Sequence, residues 1–208
     1  LQYPLRGVFL GKNEGNSMGV LILGIVVFLG VHTLTTFRET RSRLIEKFGA
    51  GPFKGVYSLV AATGLALIVW GFSRYRADGF IPIWTPPSWT SHLTISLMCF
   101  AFIALACMNP APSRIRGWLR HPMLVAIKIW ALAHLLVNGD AGSMLLFGSF
   151  LAWAIFDRLA VKKRGDLGAA RISSFTRADG IALGVGTLAY LLMMMLHPLL
   201  IGVPVIGM

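Results

Sequence analysis

The stretch Arg120–Asp140, RHPMLVAIKIWALAHLLVNGD, decides how the rest of the chain is read. It is an apolar run of membrane-crossing length that carries His121, Lys128 and His134 and stops at the turn residues Asn138-Gly139-Asp140. Ionisable side chains at bilayer depth are costly unless they face a protein interior or a cavity. A functional site is therefore expected on this helix, with the other segments as its scaffold.

Apolar runs flank it at 18–36, 55–72, 91–107, 143–156 and 180–200. Together they predict an all-α, polytopic membrane protein with about six transmembrane helices. Composition agrees: hydrophobic residues make up 56% of the 208, charged residues 13%, and mean hydropathy is +0.72, too apolar for a soluble globule. The net charge of +11 sits in short loops between the runs and not on a stripe with stacking aromatics. This excludes a nucleic-acid partner and makes the lipid bilayer the first partner.

Most of the 19 Lys and Arg fall in three alternate loops: Arg38 to Lys54, Arg114 to Arg120, and Arg158 to Arg177. The positive-inside rule places those loops in the cytoplasm and both termini on the non-cytoplasmic side. Residues 37–54 read as a loop or an interfacial amphipathic helix. Residues 73–90, with Trp84, Trp89, Pro82, Pro86 and Pro87, read as an irregular cap at the headgroup level. Residues 1–17 are polar and Gly-rich with no signal-peptide pattern, and read as a disordered or non-native extension before a transmembrane domain at 18–208. No repeat at fixed period is present, which argues against a secondary transporter built on Lys128 and His121. Cys99 and Cys107 share one apolar run, outside any CxxC or Cys/His ligand spacing, and read as reduced packing residues.

The histidines separate by depth. At about 1.5 Å per residue, His32 lies roughly 20 Å from the outer start of the first run and His134 roughly 20 Å from the inner start of the fourth. They fall on opposite sides of the midplane, offset by roughly 10 Å along the normal. His121 and Lys128, seven residues apart, share one face of the fourth helix, while His134 lies on the face of Trp130, Ala131 and Asn138. Each mid-span imidazole has two readings, an interhelical hydrogen-bond partner or a metal ligand. Imidazoles on separate helices hold haem iron, and no carboxylate or thiol stands at the spacing of a closed zinc site, so a cofactor here is haem before zinc. Tyr190, Met193, Met194 and His197 form a stripe on the last helix, open to core packing or to an axial methionine.

Five stretches carry a resemblance: FLGVHTLTTFRETRSRL at 28–44, GPFKGVYSLVAATGLALIVWGF at 51–72, the 120–140 segment, LLFGSFLAWAIFDR at 145–158 and LHPLLIGVPVIG at 196–207. Over 18–208 the chain resembles the NnrU family of bacterial inner-membrane proteins, with Arg-His-Pro and Ala-His-Leu-Leu-x-Asn-Gly-Asp its most specific pieces. The resemblance implies a multi-pass protein of the bacterial inner membrane, linked to nitrite and nitric oxide reduction in denitrification. That family is related to ζ-carotene isomerase, a haem b membrane enzyme.

Carried over by position, the isomerase's haem histidines match His32 and His134, which implies haem b with those two residues as iron ligands. His121, Lys128, Asn138 and Asp140, in the same motif pieces, are the further candidate cofactor-binding residues. A cysteine proposed there as an alternative ligand corresponds here to Ala131, which speaks against a ligand switch. The implied role is redox or isomerase-type, on a hydrophobic small molecule or in nitrogen-oxide metabolism. The alternative is a non-catalytic membrane partner of denitrification reductases.

Overall fold

A computed structural model describes residues 14–205, with side chains from residue 17 onward. The extension expected at 1–17 lies outside these residues except for 14–17, which are helical. Eight helices follow in the described residues: α1 (Glu14–Thr36), α2 (Arg38–Phe48), α3 (Ala50–Asp78), α4 (Trp89–Ala106), α5 (Arg114–Leu119), α6 (Pro122–Val137), α7 (Ala141–Lys163) and α8 (Arg177–Ile201). Among the described residues the only strand-like feature is a single bridge between Pro82 and Asp140.

Helices α1, α3, α4, α7 and α8 are each long and apolar enough to cross a membrane. The all-helical, multi-pass architecture read from the apolar runs is thus what the chain adopts. Helix α6 differs. With 16 residues it spans about 24 Å, against a hydrocarbon core of about 30 Å. Pro122 opens it, where a missing N–H costs nothing, and Asn138 closes it in extended backbone.

Two boundaries move from their sequence expectation. The 37–54 linker divides at Gly49, whose φ of +84° ends α2, and α3 takes over from Ala50 with Pro52 in its first turn. Helix α7 runs on to Lys163, so Asp157 lies within the helix.

The chain forms two compact units. In the first, residues 14–84 with Asp140–Ser149, α1 packs along α3 almost backbone to backbone. A methyl at Gly64 would lie 2.7 Å from the Phe28 amide nitrogen, and one at Gly71 2.5 Å from that of Leu21. The small residues of α3 are there to admit α1, as close membrane helix pairs require. Helix α2 buries no residue and carries a Glu39–Arg43 ion pair of 3.6 Å on its exposed side.

In the second unit, Thr85–Gly139 with 150–205, α4 packs against both α6 and α8. Thr94 Oγ1 donates to the Ala133 carbonyl at 2.8 Å, and a methyl at Gly186 would lie 2.7 Å from the Ile103 Cα. One polar knot ties the opposite end. Asp179, fully buried, accepts from Ser113 Oγ (2.6 Å), from the Ile115 and Arg114 amides (2.8 and 3.1 Å) and from the Thr176 amide (2.8 Å). It caps α5 and α8 together.

Candidate functional site

His134 stands three residues before the end of α6, and its position is set from several sides. Its Nδ1 lies 2.8 Å from the carbonyl of Trp130, one turn earlier, and its ring packs on the Trp130 indole at 5.5 Å. Trp130 in turn meets Phe150 of α7 edge-on at 5.4 Å. The His134 carbonyl accepts from the Asn138 amide at 3.0 Å and from Asn138 Nδ2 at 2.8 Å. A carbonyl only accepts, so Nδ1 carries the proton and Nε2 is the acceptor nitrogen. This is the tautomer and orientation of an iron-binding imidazole, whose second nitrogen donates to a backbone carbonyl.

His32 in α1 repeats the arrangement in the first unit. Its Nδ1 lies 2.7 Å from the Phe28 carbonyl, its ring lies 4.2 Å from the Phe28 ring, and Tyr57 of α3 approaches it edge-on at 5.6 Å. Both histidines therefore have an aromatic residue one turn earlier that supplies carbonyl and ring. The pairs Phe28/His32 and Trp130/His134 were visible in the sequence as an i, i+4 spacing, a signal that reading for ligands alone passes over. His197 near the end of α8 also gives Nδ1 to a carbonyl, that of Val203, at 2.6 Å.

His121 uses the other nitrogen. Its Nε2 faces the Asp166 carbonyl at 3.3 Å, and it sits at the start of α6, before Pro122. Arg120 beside it has φ +61° and ψ −54°, with the His121 amide on the Leu119 carbonyl at 2.6 Å, a strained γ-turn. The Arg120 carbonyl accepts from the Ala169 amide at 2.9 Å and its Nη1 donates to the Leu167 carbonyl at 3.1 Å. Arg-His-Pro thus latches the 166–169 loop and opens α6. Lys128 is half-buried midway along the helix.

Asn138 and Asp140 serve as caps. Asp140 Oδ1 accepts from the Ser143 amide at 2.9 Å at the start of α7, and the Ala141 amide donates to the Ile81 carbonyl at 2.9 Å. Tyr75 completes this corner of the first unit: it is 2% exposed, its hydroxyl accepts from the Ile81 amide at 3.0 Å, and it bonds Asp140. Sequence reading missed Tyr75 because one partner, Asp140, lies far along the chain and the other is a backbone amide in an irregular segment.

Among the described residues no cluster of three or more His, Cys, Asp or Glu side chains is arranged to hold a metal ion. A haem iron asks for less, one or two neutral imidazoles with Nε2 as acceptor. His134, His32 and His197 fit that requirement by tautomer, and His121 does not.

Fold and side chains together define a polytopic helical membrane protein with half-buried, carbonyl-oriented imidazoles near its helix ends. The chain belongs to the NnrU protein family, whose model matches residues 20–205. No curated protein and no solved structure matches it.

Proposed function

We propose that this chain binds haem b within the membrane, with His134 as an axial ligand, and serves a redox role linked to nitrite and nitric oxide metabolism in the bacterial inner membrane. The observation that carries the reading is the fixed imidazole of His134: Nδ1 is tied to the Trp130 carbonyl, the ring packs at a tilt against Trp130, and Nε2 is the acceptor. His32 in the first unit and His197 in the second share the tautomer. Bound there, haem supplies a one-electron centre. Trp130 and Asn138 orient the helix end that presents His134.

The redox role is favoured over a carotenoid isomerase role by Ala131. It occupies the position of the isomerase's proposed alternative ligand, is fully buried and offers no donor. The test is an absorption spectrum of detergent-purified protein made with ample haem, oxidised and dithionite-reduced. A Soret band with sharp reduced α and β bands is expected, lost in His134→Ala and kept in His121→Ala. A featureless wild-type spectrum would overturn the reading and leave the non-catalytic partner of reductases as the role to pursue.

A further inference from the structure

We propose that His197 supplies the second imidazole of the site built on His134, so that both axial ligands come from the helices flanking α4. The inference rests on the haem reading above and names the partner ligand for it.

The argument is one of register. Thr94 of α4 bonds the Ala133 carbonyl, so residue 94 marks the level of His134. Ile103 of α4 meets Gly186 of α8. From Ile103 back to Thr94 is nine residues, and α8 runs antiparallel to α4, so nine residues on from Gly186 brings Met195 to the level of Thr94. His197 lies two residues further, about 3 Å along the axis. The two histidines therefore stand at nearly the same height on the two helices that pack against α4.

The face agrees with the level. Asp179, Ala182 and Gly186 are the buried residues of α8, and Tyr190 continues their row by donating to the Ile95 carbonyl of α4 at 3.1 Å. His197 follows Tyr190 by seven residues, two helical turns, and so shares its face. The α8 backbone ends at Gly202, which turns left-handed and brings the Val203 carbonyl to His197 Nδ1 at 2.6 Å. That bond leaves Nε2 as the acceptor, as in His134. The two imidazoles are also near enough to act on each other electrostatically. His92, at the same end of α4, is exposed and takes no part.

The experiment compares haem-loaded wild type with His197→Ala, His197→Met and His32→Ala by absorption and electron paramagnetic resonance. Size-exclusion and far-ultraviolet circular dichroism serve as folding controls. The expected result is a six-coordinate low-spin haem in wild type and His32→Ala. Folded His197→Ala becomes high-spin or loses haem, and added imidazole restores the low-spin spectrum. His197→Met stays six-coordinate with a raised reduction potential, since a thioether replaces the imidazole, and it carries the test where His197→Ala does not fold.

If His32→Ala turns high-spin while both His197 variants keep the wild-type spectrum, His197 is not the ligand and the haem reading survives. A wild type without a Soret band overturns both.

Discussion

Asp179 Oδ1 and Ser113 Oγ lie 2.6 Å apart, joining residues that are 66 positions distant and fixing the start of α5 to the start of α8. The carboxylate also receives the amides of Arg114, Ile115 and Thr176, so every lone-pair direction is used and none faces solvent. Asp179→Asn puts an amide NH2 among these donors. We expect a loss of about 2–4 kcal/mol, the cost of unpaired buried donors, read as a lowered melting temperature in detergent. Ser113→Ala removes one cap and costs about 1 kcal/mol. A melting temperature for Asp179→Asn within a degree of wild type would show that the knot does not hold the two helices.

Gly142 and Tyr75 give a second stability prediction. A methyl on Gly142 would overlap the Tyr75 ring, and that ring is held by the Ile81 amide and by Asp140. Gly142→Ala is therefore expected to destabilise by about 1–3 kcal/mol through overpacking. Gly142→Ala combined with Tyr75→Ala costs less than the sum of the two, because the second substitution removes what the first collides with. Additive losses in a thermal double-mutant cycle would refute the contact.

The same elements show what a linear reading reaches. The apolar runs disclosed the long helices because bilayer length is written directly in residue count. The capping box at the start of α8, Thr176 with Asp179, has a local sequence signal, Thr-x-x-Asp, that the apolar run from 180 does not include. The use of that aspartate by Ser113 has none, since it depends on the 107–113 turn bringing α5 alongside α8. Asn138 and Asp140 were legible as part of the motif that holds His134, while the backbone bonds they make were not. They are caps, Asn138 on the His134 carbonyl and Asp140 on the Ser143 amide. His121 at the start of α6 and His134 in its last turn also differ in which nitrogen meets a carbonyl. The Asp166 carbonyl that decides the case of His121 lies 45 residues away.

That difference yields a third prediction. His121 and Arg120 hold the 166–169 loop through the Asp166, Leu167 and Ala169 backbone. His121→Ala loosens one of these ties, and trypsin cleavage at Lys162, Lys163, Arg164 or Arg171 is expected to rise several-fold while the Soret band is unchanged. An unaltered cleavage rate would remove the latch. Loss of the Soret band with unaltered cleavage would return His121 to the site.

The last prediction separates the carbonyl of Trp130 from its ring. Helical backbone delivers the carbonyl whatever residue occupies position 130, so Trp130→Ala keeps the hydrogen bond to His134 Nδ1 and with it the tautomer. What it removes is the indole that packs on the imidazole at 5.5 Å and is itself held by Phe150 at 5.4 Å. Without that wall the ring of His134 samples other rotamers, and Nε2 no longer points one way. Outer partners of metal-binding imidazoles contribute roughly 10–100-fold to affinity. Trp130→Ala should therefore still bind haem through His134 with the same spectrum, but about tenfold more weakly by titration, while Trp130→Phe, which keeps an aromatic face, stays near wild type. If Trp130→Ala binds haem as tightly as wild type, the indole is packing alone and the orientation of His134 rests on the backbone bond. If it loses the Soret band as His134→Ala does, the ring holds His134 in place more strongly than the hydrogen bond.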